Sequence, residues 1–333
     1  MSNPHHPDLI TVLAERVAAV PTERGVAAAE QRVIDRKAGQ RVVVRIALRE
    51  PVLLAGGDGI EVDHLYAKVF DDPVRGARVN ETLRMLWSNV RAGDASFGLP
   101  QPLAFDVDPC VLLLAPVRGV ALLDANAGDA AWTRVGRWLG HLHASRAALP
   151  VRYDRNAELR TLRGWRADIV VAGAPDELLR QYGAIIDRFD VRTGDVSTAP
   201  IGPIHRDLHH EHIIIRRVGD DAAVSVIDLD EARLGDAHVD LGHLLVHLEL
   251  AGVAPGSFAL VIDAWRHRTG RDIENAPMAT ATALAGLKVA RQRACGFGVA
   301  PRPIGEARWI EMRRALDVAI NALDGVKRST RPT

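Results

Sequence analysis

The sequence predicts an α+β protein of two lobes, an antiparallel β-rich one followed by a mainly helical one. Two observations carry this. β-Branched runs punctuated by turn residues are concentrated between residues 30 and 118. From about residue 129 onward apolar residues recur at helical spacing, as in WTRVGRWLGHLHASRAAL, LGHLLVHLEL and the long run 278–297.

The elements follow in order. The opening stretch MSNPHHPDLITVLAERVAAV has apolar residues at helical rather than continuous spacing, which predicts a helical extension over 1–29. RVVVRIAL and HLYAKVF then read as strands of an antiparallel meander; DRKAGQ is the turn before the first, and Gly56, Gly57 and Gly59 cluster before the second. In RGARVNETLRMLWSNV the residues Val79, Leu83, Leu86 and Val90 lie three or four apart and predict an amphipathic helix. PLAFDV and CVLLLAPV add two strands, and the break at 115–119 ends the β-rich lobe, placed at 30–118. The helical lobe is placed at 119–326 with short strands only near 212–228, and KRSTRPT over 327–333 reads as a frayed tail.

Composition excludes several classes. In 333 residues, 42 basic side chains cancel 42 acidic ones, so no global field favours nucleic acid or an anionic membrane. Cys110 and Cys295 lack the CxxC partner of a redox motif or zinc ribbon, and the N-terminus lacks the order of a secretory signal. No apolar stretch approaches the roughly 20 residues a bilayer requires. The expectation is a reduced, cytoplasmic protein, with the oligomeric state unreadable.

The chemistry-bearing region is IGPIHRDLHHEHIII followed by VSVIDLDEARLGDAHVDLGHL. Asp207 lies in a loop entered through Ile201 and Ile204 and left through Ile213 to Ile215, so apolar segments hold it in place. A carboxylate held in this way can reach a substrate hydroxyl. Asp228 follows the alternating run Val224, Val226, Ile227 and so ends a strand, where a carboxylate suits a magnesium ion. Only four of the 42 basic residues are lysines, yet Lys68 sits inside an apolar strand, where an unpaired ammonium is costly. Lys68 therefore needs a carboxylate or a phosphate.

With these residues in view, HRDLHHEH resembles the kinase-type catalytic loop HxDxxxxN. IDLDEARLGDAHVDLGHL resembles the metal-binding segment of the aminoglycoside phosphotransferase family, small-molecule kinases with a protein-kinase-like fold. The resemblance spans roughly residues 30 to 250. It implies that MgATP lies between the lobes and gives its γ-phosphate to a hydroxyl. Asp207 would orient or deprotonate that hydroxyl, and Asp228 would hold Mg2+. By the same resemblance Lys68 contacts the phosphates, Glu81 on the following helix is its ion-pair partner, and backbone groups near Ala115 and Val117 read the adenine edge.

The sequence departs from the family pattern at three points. His212 stands where the family usually has a metal-binding asparagine, so it is a metal residue by position only, and imidazole is a poorer ligand for a hard cation. There is no GxGxxG; the phosphate flap falls to Gly39 in RKAGQR, or to the glycine cluster at 56–59. Arg206 replaces the more usual glycine, giving the HRD of protein kinases. Against a protein kinase, only a dozen residues separate Asp228 from Asp240, which leaves no room for an activation loop. Asp240, just before LGHLLVHL, reads as an N-cap that supports the loop.

Two other readings stand beside this one. His205, His209, His210, His212, His238, His243 and His247 suggest a His/Asp metal-dependent hydrolase, although there is no HExxH and Lys68 goes unexplained. His212 and the sparse glycines suggest a nucleotide-binding pseudokinase, against which stands the retained Asp207. The acceptor stays open among sugars, aminoglycosides and amino alcohols; Glu231, Asp236 and Glu249 are acids near the catalytic segment that a cationic acceptor would meet.

Overall fold

The computed structural model describes residues 9–20, 27–37, 41–54, 61–91, 97–126, 128–191, 201–218, 221–296 and 305–329. In chain order its elements begin with α1 (Leu9–Ala18), β1 (Ala28–Lys37), β2 (Arg41–Leu53), β3 (Glu61–Phe70), α2 (Pro73–Arg91), β4 (Phe97–Gly98), β5 (Pro102–Val107), β6 (Cys110–Leu114) and β7 (Val120–Ala121). They continue with α3 (Asp129–Ala144), α4 (Arg155–Val171), α5 (Asp176–Val191), β8 (Gly202–Ile204), β9 (Ile213–Val218), β10 (Asp221–Val226) and β11 (Arg233–Gly235). The last four are α6 (His238–Leu250), α7 (Pro255–Thr269), α8 (Asn275–Cys295) and α9 (Ala307–Ser329). The described chain divides into two compact units. The first is Met1–Val120 with Ile214–Glu231; the second is Ala121–Ile213 with Ala232–Thr333.

The first unit holds a five-stranded sheet in the order β1-β2-β3-β6-β5, with every pairing antiparallel. Period-2 alternation sorts its side chains between two faces. Val44, Ile46 and Leu48 of β2, Leu65, Ala67 and Val69 of β3, and Val111 and Leu113 of β6 bury one face with Leu13 and Val17 of α1. Lys68 lies opposite Val43 and Arg41 opposite Phe70, so both cations stand on the other face, two positions apart in the ladder. β10 runs parallel to β4 with β9 beside it, and this hairpin delivers Asp228 within the first unit.

The second unit is helical, as its 3.6-residue periodicity requires. One core joins Leu159 and Leu162 of α4, Tyr182 and Phe189 of α5, and Leu287 of α8 to Leu316 of α9. α3 packs on α7 at Gly136, where a Cβ would lie 2.2 Å from the carbonyl oxygen of Val261. α3 stops at Ala144, because Ser145 turns extended, so the end of WTRVGRWLGHLHASRAAL is not helical. β8 and β11 form a short antiparallel ribbon, Gly202 opposite Gly235, that feeds residues 205–212. Segments of three residues are too short to show a period, so periodicity leaves them unseen. Among the described residues no helix is long and apolar enough to cross a membrane.

Gly119 closes the β-rich part of the chain with φ at +130°, and a Cβ there would stand 2.4 Å from the carbonyl oxygen of Ile215. Gly119→Ala combines a forbidden backbone conformation with a backbone clash and is expected to cost about 2–4 kcal/mol. The shift in urea midpoint measures it.

Candidate active site

In the first unit two cations and two carboxylates converge. The Lys68 ammonium donates to Asp228 Oδ1 at 2.6 Å and to Asp230 Oδ1 at 2.5 Å. Arg41 donates from Nη2 to Asp228 Oδ2 at 2.9 Å, and from Nη1 to Asp228 Oδ1 and Asp230 Oδ2, both at 2.8 Å. The Lys68, Arg41 and Asp230 side chains are nearly buried, so each charge is compensated by the opposite one rather than by water. Burial alone would lower the Arg41 pKa, but Asp230 and Asp228 outweigh it and hold the guanidinium above its ordinary value.

The local sequence explains the convergence. β10 ends after Val226, Asp228 adopts φ +63°, and one 3-10 turn follows over Leu229–Glu231. That kink turns Asp228 and Asp230 toward the same cations. Glu231 ties the turn to α2 through Arg75 at 3.1 Å. The expected Lys68–Glu81 pair is not present: Glu81 is exposed on α2, and the Lys68 ammonium is held by Asp228 and Asp230 instead. The acids of the kinked turn reach a buried ammonium that the solvated outer face of α2 does not.

In the second unit Asp207 sits in the loop after β8. Lys288 of α8 donates to Asp207 Oδ1 at 2.6 Å and to the Arg206 carbonyl at 3.3 Å. Burial alone would raise the Asp207 carboxyl; Lys288, with His243 and His212, holds it well below the usual range, so it is ionised near neutrality. Asp240 is fully buried beneath this loop and accepts the amides of His205 and Arg206, both at 2.7 Å, and His143 Nε2 at 2.9 Å. Trp265 Nε1 donates to His143 Nδ1 at 2.9 Å, which leaves Nε2 as the nitrogen that carries the proton toward Asp240. Asp240 is the third residue of α6 and no N-cap; Asp236 takes the capping role by accepting the His238 amide at 3.0 Å.

Arg206 adopts φ +69°, in the left-handed region that favours glycine, which gives a physical reason for glycine at this point in similar loops. Its conformation is held by Asp240 on the amide and by Glu158 on the guanidinium. His212 ends a short 3-10 turn and donates from Nδ1 to the Asp207 carbonyl at 2.9 Å. Around it burial pushes His209 and His247 far below the ordinary imidazole value and His243 down to about 4, so these rings are neutral.

The structure thus brings Lys68 together with Asp228, and Asp207 with His212. Ala115 follows β6, and its amide already donates to the Gln101 carbonyl at 2.9 Å, so it is not an open donor. Val117 is half-buried two residues on. Gly39 and the cluster Gly56, Gly57 and Gly59 lie outside the described residues. Three site residues were missed. Arg41 carried no signal of its own, because it shares a face with Lys68 only through the β2–β3 register. Asp230 was signalled by its place in IDLDE. Lys288 was signalled by the argument used for Lys68: a rare lysine within an apolar element.

A hard divalent cation such as Mg2+ fits the first of these clusters by its chemistry. Asp228 and Asp230 present carboxylate oxygens that already share one ammonium, and oxygen ligands suit such an ion. His212 offers nitrogen and does not fit that ion.

The β-rich unit with its buried lysine and paired carboxylates, and the helical unit with its braced acidic loop, define a protein of kinase-like fold. A model of the phosphotransferase enzyme family matches residues 29–272, and the chain belongs to that family. Family membership makes it a phosphotransferase. Among solved structures it resembles a spectinomycin phosphotransferase in complex with ADP and spectinomycin, at 10% identity and TM-score 0.65, covering 96% of this chain and 99% of that one. It also resembles choline kinase from Cryptosporidium parvum Iowa II, at 10% identity, TM-score 0.64 and 97% of both chains. Choline kinase from Streptococcus pneumoniae matches at 11% identity and TM-score 0.62, over 95% of this chain and 100% of that one. At such identities the likeness shows the fold. No curated protein matches the sequence.

Asp240→Ala is expected to cost about 3–5 kcal/mol, because it orphans two loop amides and a buried imidazole. The Asp240 carboxyl is lowered from 3.8: burial alone would raise it, and His143, His205 and the loop amides outweigh that. Its ionised form therefore adds stability that is complete above pH 3.8 and is lost as pH falls through the lower folded value. Urea midpoints between pH 7 and pH 3 should fall less steeply at the acid end in the variant than in the parent.

Proposed function

We propose that this protein is an ATP-dependent phosphotransferase that moves the γ-phosphate of MgATP to a hydroxyl of a small molecule. The observation that carries the reading is the convergence of Lys68, Arg41, Asp228 and Asp230. Two buried cations, the buried carboxylate of Asp230 and the part-exposed one of Asp228 form a set that can exchange partners: carboxylates for a divalent metal, cations for phosphate oxygens. Mg2+, when bound, neutralises charge on the phosphates. Asp228 and Asp230 would hold it, which would leave Lys68 and Arg41 to pair with phosphate oxygens. Backbone groups near Ala115 and Val117 remain the proposed adenine contact, through groups other than the Ala115 amide.

Asp207 supplies the other half of the reaction. Its depressed pKa keeps it an acceptor for the proton of a substrate hydroxyl, and the Asp240 brace fixes the loop that aims it. Lys288 holds one carboxylate oxygen and so limits its rotation. Family membership and the ion set together favour phosphoryl transfer over the histidine hydrolase. Cys110 and Cys295 are free thiols, in keeping with a cytoplasmic location.

Thermal shift with ATP, with and without Mg2+, checks the nucleotide site. A ligand at a hundred times its Kd stabilises by about 2.7 kcal/mol. The parent should show this only with Mg2+ present, and Asp228→Ala should lose it; equal stabilisation of both proteins overturns the metal assignment. Asp207→Ala should retain nucleotide stabilisation while transfer to a hydroxyl acceptor falls by at least about 100-fold. Undiminished turnover would remove Asp207 from the reaction.

A further inference from the structure

The second unit gathers histidines around Asp207 beyond anything phosphoryl transfer requires. His209 and His212 have ring centroids 3.6 Å apart, and His209 and His247 4.9 Å apart. A carboxylate oxygen of Asp207 and one ring nitrogen each of His209 and His212 all lie within 4.8 Å of one another. We propose that Asp207, His209 and His212 form a binding site for a zinc-class divalent ion, Zn2+ or Co2+, distinct in its chemistry from the magnesium site of Asp228 and Asp230.

Hydrogen bonding sets the ring nitrogens for this. A carbonyl can only accept, so the 2.9 Å contact of His212 Nδ1 with the Asp207 carbonyl puts the proton on Nδ1 and the lone pair on Nε2. The same logic holds for His243, whose Nδ1 donates to the Leu208 carbonyl at 2.8 Å. Its Nε2 is therefore a bare acceptor, buried, without a hydrogen-bond partner among the described residues, and 3.6 Å from Asp207 Oδ1. His209 Nδ1 is likewise buried without a hydrogen bond among the described residues, and lies 3.5 Å from Glu211 Oε2. Leaving buried polar nitrogens unanswered costs free energy, and the bare His243 Nε2 facing the Asp207 carboxylate marks a place where a cation would answer both.

The donor set selects the ion. Mg2+ and Ca2+ demand oxygen, whereas two imidazoles and one carboxylate match zinc-class chemistry and leave a fourth position open. Ligand atoms in a tetrahedral zinc site stand roughly 3.3 Å apart at bonds of about 2.0–2.1 Å. Lys288 occupies Asp207 Oδ1, so the ion competes with that ammonium for the carboxylate or takes Oδ2.

The test is direct binding to the full-length protein at pH 7.5, by Zn2+ competition against a chromophoric chelator and by the visible absorption of Co2+. One equivalent of tight Zn2+ is expected, undisturbed by excess Mg2+ and retained in Asp228→Ala and His210→Ala. His209→Ala should weaken it by more than the roughly 10- to 100-fold that losing a supporting partner costs. His212→Gln gives a second reading should His209→Ala lower the melting temperature. No stoichiometric binding by the parent, or full binding in folded His209→Ala and His212→Gln, overturns the site. Because the readout is metal affinity, its failure leaves the phosphotransferase reading standing, and failure of that reading leaves this one standing.

Discussion

Buried charge that cannot reach water has to be answered within the protein, and each unit is organised around one such answer. In the second it is Asp240, whose oxygens take the His205 and Arg206 amides and the His143 imidazole, itself oriented by the Trp265 indole. Three elements meet at one carboxylate, and a fourth braces it through His143. The loop that carries Asp207 has its conformation because Asp240 holds its backbone, including the left-handed Arg206, which no intrinsic preference would maintain. In the first unit the answer is the Lys68, Arg41, Asp228 and Asp230 set, reached through a second left-handed residue, Asp228. Each unit thus places its backbone strain beside its candidate chemistry and offsets it with charge-assisted hydrogen bonds.

Much of this was legible in the sequence. Alternation gave β2 and β3 but not β1, whose last residues Asp35 to Lys37 read as a turn in sequence; helical spacing gave α2, α6 and α8, and an isolated lysine within an apolar strand announced a buried ammonium. These signals are strong because each follows from burial, which sequence periodicity records directly. The ribbon of β8 and β11 was invisible because three residues carry no period. The partner of Lys68 was misassigned because a helical glutamate and a turn aspartate look alike in sequence; which of them is reached depends on the kink at residue 228.

The histidines divide in an instructive way. His143 and His243 are structural in origin: one completes the Asp240 network, the other pins the Leu208 carbonyl. His212 combines a structural bond through Nδ1 with a second nitrogen directed elsewhere. Counting histidines in the sequence could not separate these roles, because the role is set by which nitrogen a neighbouring backbone group takes.

The ion set of the first unit also bears on how an anion would arrive. Two positive and two negative side chains cancel at close range, and the whole chain carries no formal net charge. There is thus little field to draw a polyanion from beyond a Debye length, roughly 8–10 Å in ordinary salt. Attraction develops only once the internal partners begin to separate. Capture at this site is then a short-range exchange of ions with only a weak response to ionic strength.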